Sequence, residues 1–168
     1  IVGFVARLAP EKSPGLFVHA MALLRDRARF VIVGDGPSRQ SIEVLAQLYD
    51  LPIEFTGAVD RDALPDIYAS FSVLVNPTLR AWSETFCIVN VEALATETPI
   101  VSFAVGGQGD YLSHDTAKIV NSTDPQALAD AVAALLDDEP ERRRLATNGR
   151  RLVEAHFDVR TQMASYER

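Results

Sequence analysis

Two carboxylates eight residues apart, Glu84 and Glu92, and two cations five residues apart, Arg7 and Lys12, have the types and spacing to do chemistry. Ionised carboxylates accept hydrogen bonds from neighbouring hydroxyls. An Arg fork beside a mobile Lys suits a diphosphate, whose negative charge grows as it leaves. Hydrolysis of a glycosidic bond would want two carboxylates about 5–10 Å apart across one bond, and it explains neither Arg7 nor Lys12. Glu92 falls in the otherwise apolar run Ile88-Val-Asn-Val-Glu-Ala-Leu-Ala95. An acid there must be solvated along one edge or have a partner.

The elements that must position these residues alternate. Apolar, β-branched runs at residues 1–5, 29–34, 53–57, 73–75, 98–103 and 117–121 read as strands. Helical spacing fills residues 14–27, 38–49, 61–70 and 86–96, and two closing helices are expected over 124–137 and 140–155. Strands separated by helical crossovers predict an α/β fold: a doubly wound, Rossmann-like six-stranded parallel sheet, right-handed and covered on both faces. The common order 3-2-1-4-5-6 makes strands one and four neighbours, with a ligand crevice beyond their carboxyl ends. The loop after strand one carries Arg7 and Lys12, and the loop after strand four carries Glu84. Glu92 is expected about two turns into the helix starting near Phe86, so both acids can face that crevice.

Composition narrows the function. Of 168 residues 48% are hydrophobic and 23% charged, which is ordinary for one globular domain. No apolar run approaches the roughly 20 residues of a transmembrane helix. A net charge of −7 argues against a nucleic-acid partner, so any anion site must be local. The strand-one loop lacks the glycine-rich dinucleotide fingerprint, which argues against NAD. Gly34-Asp-Gly36 meets a turn's need for small residues and could also line the crevice. The single cysteine, Cys87, permits no internal disulfide, reads as a small apolar filler, and fits a reducing, cytoplasmic setting that includes the periphery of a membrane. His19, His114 and His156 lack metal-ligand spacing, so no metal site is expected.

Arg7-Leu-Ala-Pro-Glu-Lys12, Val33-Gly-Asp-Gly-Pro37, Phe55-Thr-Gly57, Val75-Asn-Pro77, the Glu84 and Glu92 pair with Glu92-Ala-Leu-Ala95, Pro99-Ile-Val101 and Gly106-Gly107 together resemble one known pattern. It is the C-terminal, nucleotide-binding half of a family-4 (group 1) glycosyltransferase with the GT-B fold. The match spans nearly the whole chain, and the order and spacing of the pieces make it specific. The resemblance implies a retaining transferase that uses a nucleoside-diphosphate sugar and needs no metal or other cofactor. It implies that Arg7 and Lys12 hold the diphosphate, that Glu84 binds sugar hydroxyls and that Glu92 binds the ribose hydroxyls. Gly34, Gly57 and the backbone N–H groups of Phe86, Cys87 and Ile88 complete the expected binding set.

Family members often have glycines around the first acid, where this chain has Thr85 and Cys87; Asn90 and Asp110 also depart from the frequent residues. Residues 1–168 are expected to form a single donor-binding domain, beginning inside a strand, with the N-terminal acceptor-binding domain of a longer parent chain as its partner. Two other readings share the fold: a non-catalytic nucleotide-binding module and a nucleotide-sugar epimerase.

Overall fold

The computed structural model describes residues 1–79 and 86–157. Six short runs rich in Val, Ile and Phe form one parallel sheet: β1 (Val2–Val5), β2 (Phe30–Val33), β3 (Ile53–Gly57), β4 (Val73–Asn76), β5 (Ile100–Ser102) and β6 (Lys118–Ile119). Their order is β3-β2-β1-β4-β5-β6, as the alternating pattern predicts. In the centre β1 pairs with β2 from Val2↔Phe30 to Val5↔Val33, and with β4 through Val2↔Val73 and Gly3↔Leu74. Every residue of β2 and β4 is buried, as strands covered on both faces must be, whereas edge strand β3 alternates between exposed and half-buried positions.

Among the described residues six α-helices cover the faces: α1 (Pro14–Ala22), α2 (Arg39–Leu48), α3 (Leu64–Ser70), α4 (Ile88–Ala95), α5 (Pro125–Asp137) and α6 (Glu139–His156). One core joins Phe4, Ile32 and Val75 to Phe17, Met21, Ile42, Leu128 and Val132 beneath α1, α2 and α5. The other joins Val31, Leu74 and Ile100 to Tyr68, Phe71, Ala93 and Leu94 beneath α3 and α4, with Leu152 and Val153 of α6 packed against it. A buried Phe, Leu or Val contributes about 1.5–3 kcal/mol. An exposed ion pair such as Arg27 with Asp137 contributes about 0.2–1 kcal/mol, so apolar burial on both faces dominates the stability. Asp124 and Asp138 start the last two helices, accepting from the backbone N–H groups of Gln126 (3.1 Å) and Glu141 (2.9 Å).

Several boundaries differ from the sequence expectation. The first helix stops at Ala22, five residues early, because the chain tightens through Leu23 N–H to Ala20 O and Leu24 N–H to Met21 O. Arg25 is then free to donate to the carbonyls of Tyr49 and Asp50 at the end of α2. The helix expected over 61–70 begins as a 3-10 turn, Arg61–Ala63, and becomes α-helical at Leu64. Helix α4 begins at Ile88 and not near Phe86, since Cys87 occupies the left-handed region at φ 56° and ψ 74°. Strand β6 keeps only two ladder residues, paired with Val101 and Ser102.

Gly3 lies in the middle of the sheet for a steric reason. A Cβ there would fall 2.2–2.5 Å from three ring carbons of Phe71, which is buried between α3 and β4. Gly3→Ala should therefore cost about 1–3 kcal/mol of stability through overpacking. Denaturant unfolding checks this: a lower midpoint is expected, with much of the loss recovered in Gly3→Ala/Phe71→Leu, whereas an unchanged midpoint would show that the ring moves aside freely.

Candidate functional site

Because β1 and β4 are neighbours, the loops that follow them open on the same crevice. The loop after β1 is zipped to the loop after β2: Ala6 N–H donates to Val33 O (3.1 Å), Leu8 N–H to Asp35 O (2.9 Å) and Ser38 N–H to Leu8 O (2.8 Å). This closeness requires the glycine at 34. Gly34 has φ 122°, and a Cβ on it would lie 1.9 Å from the Ala6 carbonyl oxygen. Gly57, at φ 74°, supplies the carbonyl that accepts from Gly34 N–H at 2.8 Å, tying the end of β3 into the same corner. The zipper holds the exposed Arg7 over a pocket of about 260 Å³, lined also by Ala6, Gly34, Asp35, Val59 and Leu64. Lys12 ends the 3-10 turn Pro10–Lys12, where its N–H bonds Ala9 O at 3.0 Å before Ser13 turns left-handed into α1. The turn sits in the same loop as Arg7 but outside that pocket's lining.

Glu92 is half-buried as the fifth residue of α4, a little over one turn in and not two, because the helix starts late. It has the partner that its apolar surroundings demand. Tyr68, buried on α3, donates its hydroxyl to Glu92 Oε2 at 3.0 Å. Burial first, and then the neighbouring Glu92 charge, push the Tyr68 phenol well above its ordinary range, so it remains a donor across the physiological range. Glu92 and Tyr68 line a cleft of about 390 Å³ together with Arg61, Asp62, Leu64, Pro65, Ala95 and Thr96. Leu64 borders both this cleft and the Arg7 pocket, so the two openings are neighbours. Glu84, Thr85 and Trp82 lie outside the described residues.

Between the two loops at the right of the crevice lies a buried polar cluster with no counterpart in the sequence expectation. Asn76, at the end of β4, points its amide nitrogen at Cys87 Sγ (3.0 Å), Asn90 Oδ1 (2.9 Å) and Gln108 Oε1 (3.1 Å). Gln108 Oε1 also accepts from Asn90 Nδ2 at 2.8 Å and from Ser102 Oγ at 3.0 Å. Thr78 completes the cluster by donating its N–H and hydroxyl to Asn76 Oδ1, at 3.3 and 2.8 Å. Asn90, Ser102 and Gln108 are wholly buried. The cluster thus ties β4, the first turn of α4, the end of β5 and the glycine-rich 3-10 turn Gly106–Asp110 into one body. Cys87 is not merely an apolar filler: its sulfur accepts from Asn76, and its carbonyl accepts from Tyr111 Oη at 3.2 Å. Tyr111 Oη also donates to the Phe86 carbonyl at 2.8 Å, which fixes the segment leading into α4. Sequence reasoning passed over Tyr68 and Gln108 and quoted Asn76 only within Val75-Asn-Pro77, where the available signal was a polar residue ending an apolar run.

No group of three His, Cys, Asp or Glu side chains is gathered as metal ligands among the described residues. His19 instead shares a 2.8 Å hydrogen bond between Nδ1 and the Tyr49 hydroxyl. No described helix is long and apolar enough to cross a membrane.

A doubly wound sheet with an Arg7-lined pocket beyond β1, β2 and β3 and a half-buried carboxylate between α3 and α4 has the plan of the Rossmann-like α/β domains, which carry ligands beyond the carboxyl ends of their strands. Within that class residues 1–152 match the model of the glycosyl transferases group 1, and the chain belongs to this family of transferases. It is 38% identical over 158 residues to a GDP-mannose-dependent alpha-mannosyltransferase of Mycolicibacterium smegmatis, covering 91% of this chain and 38% of that protein. The fold is that of the GT-B glycosyltransferases. The C-terminal domain of a group 1 glycosyltransferase from Francisella tularensis superimposes with a TM-score of 0.82 at 20% identity, over 94% of this chain and 86% of that one. The Anabaena protein HepE, solved in complex with UDP, superimposes with a TM-score of 0.88 at 21% identity, over 99% of this chain and 47% of that one. The chain spans between 34% and 42% of the length of such curated relatives.

The buried amide cluster yields a test. Asn90→Leu would take one of three partners from Gln108 Oε1 and one of three from the Asn76 amide nitrogen, at a cost of about 0.5–1.5 kcal/mol for each hydrogen bond lost. Urea unfolding should show a lower midpoint at unchanged slope, and equal or higher stability would mean that apolar contact substitutes for the cluster.

Proposed function

We propose that this chain is the donor-binding domain of a retaining glycosyltransferase that takes a sugar from a nucleoside-diphosphate sugar. The observation that carries this reading is the adjacency, across Leu64, of the Arg7 pocket beyond β1, β2 and β3 and the Glu92 cleft between α3 and α4. A nucleoside diphosphate presents ribose hydroxyls beside anionic charge, which such a neighbouring carboxylate and cation can meet. The crystallised HepE complex with UDP supports the ligand class, and the mannosyltransferase relative supports sugar transfer from such a donor.

In this reading Glu92 accepts from the two ribose hydroxyls. Arg7 and Lys12 face the diphosphate, joined by the backbone N–H groups of Phe86, Cys87 and Ile88 at the start of α4, and Gly34 and Gly57 let the backbone approach the ligand. These fixed positive groups take up the charge that develops on the departing diphosphate, so the chemistry needs no metal. Glu84 grips hydroxyls of the transferred sugar and orients it; a residue holding remote hydroxyls is poorly placed to attack the anomeric carbon, so it is not assigned as a nucleophile. The acceptor is brought by the N-terminal GT-B domain of the parent protein.

Calorimetric titration with UDP, GDP and ADP tests the reading, because a donor domain must bind at least one of them; failure with all three would overturn it. With the nucleotide that binds, Arg7→Ala or Lys12→Ala should weaken the diphosphate by about 1.5–3 kcal/mol and hardly affect the nucleoside. An equal loss for both ligands would remove the phosphate role.

The two acids should separate by ligand portion. Glu92→Gln is expected to weaken the bare nucleotide by about 1–3 kcal/mol through unpaired ribose hydroxyls. Glu84→Gln is expected to spare the nucleotide and weaken only the nucleotide sugar. Titrating both variants with both ligands decides it, and parallel losses in Glu84→Gln would reverse the assignment.

A further inference from the structure

We infer that Tyr68 is a positioning residue for donor binding: its hydroxyl presets the Glu92 carboxylate so that the cleft selects a ligand carrying two adjacent hydroxyls. The inference rests on the reading of Glu92 as the ribose ligand and adds a residue that acts through it.

A glutamate has three rotatable bonds, and a half-buried one at the edge of a cleft would ordinarily be ordered only when its ligand arrives. Here the ordering is built in. The Tyr68 ring is 1% exposed and packs edge-on against Phe71, with centroids 6.5 Å apart and planes at 87°. Its backbone is held as well, since Thr98 Oγ1 donates to the Tyr68 carbonyl at 2.8 Å. A rigid phenol therefore presents its hydroxyl at a fixed point, 3.0 Å from Glu92 Oε2. Helix α4 is fixed from its other end, where Arg150 of α6 donates to the Ala95 carbonyl.

The hydrogen bond also divides the carboxylate. It uses one lone pair of Oε2 and leaves Oε1 and the second lone pair of Oε2 as acceptors at the cleft. Two acceptor atoms on one planar group match two hydroxyls on neighbouring carbons, which is the feature that distinguishes a ribonucleotide from its deoxy and dideoxy counterparts. A carboxylate pinned in the matching orientation pays less ordering on binding, so the preference for the diol is sharpened by a side chain that acts through Glu92.

The test is a double-mutant cycle with two ligands. Tyr68→Phe keeps the ring against Phe71 and removes only the hydroxyl, so the melting temperature should stay near that of the parent. The chain, Tyr68→Phe, Glu92→Gln and the double variant are each titrated with the tightest-binding of UDP, GDP and ADP and with its 2′,3′-dideoxy form. Expected is a loss of about 3- to 10-fold in affinity for the ribonucleotide in Tyr68→Phe, the range of one hydrogen bond, with the dideoxy form nearly unaffected. In the Glu92→Gln background the same change should add nothing, because the two residues act as one unit. A Tyr68→Phe protein that keeps the parent's ribo preference, or loses both ligands alike, overturns the inference and leaves the Glu92 reading standing. A Glu92→Gln protein that keeps the preference overturns both.

Discussion

The crevice depends on a hydrogen-bonded polar cluster inside an apolar domain, in which Gln108 Nε2 is the one buried side-chain atom among the described residues without a partner. Asn76, Asn90, Gln108 and Ser102 sit where β4 and β5 end, and a buried amide without partners costs more than the hydrogen bond it forfeits. Their bonds run between elements and not within them, so β4, α4 and the Gly106–Asp110 turn must arrive together or each leaves a polar atom stranded. Apolar packing would tolerate sliding by a fraction of a side chain; directional bonds near 3 Å do not. A site built from loops on three separate elements gains its rigidity from this cluster.

The same logic governs the left side of the crevice with backbone in place of side chains. The loops after β1 and β2 are joined by three backbone hydrogen bonds, and the absence of a side chain at Gly34 allows the contact. One side of the site is thus held by amide side chains and the other by bare backbone, while Tyr68 holds the carboxylate that lies between α3 and α4.

The strand order and the identity of the six strands were legible because both rest on local signals: apolar β-branched runs, and crossovers that leave few topologies open. That order also makes β1 and β4 neighbours, the strands that precede the Arg7 loop and α4. Helix starts and ends were less legible. Cys87 is a residue type that seldom takes the left-handed conformation, so nothing in its identity announced that α4 would begin after it, although glycine in the related pattern fits that geometry. Tyr68 and Gln108 were illegible for another reason. Their partners lie 24 residues away and 6 to 32 residues away, and a hydrogen bond between distant positions leaves no period in a single sequence.

The two edges of the sheet are unlike its centre. On one side β6 offers only two ladder residues, Lys118 and Ile119. On the other, β3 turns Glu54 and Thr56 outward, and Glu54 pairs with Arg29 at 3.3 Å. Neither edge presents a long, flat, uncharged row of amides onto which a strand from another molecule could add. A parallel sheet folds slowly through distant contacts and exposes its strands while it does so. Short and charged borders keep those strands from joining copies of the chain edge to edge in the meantime, which protects the molecule from aggregation during its synthesis.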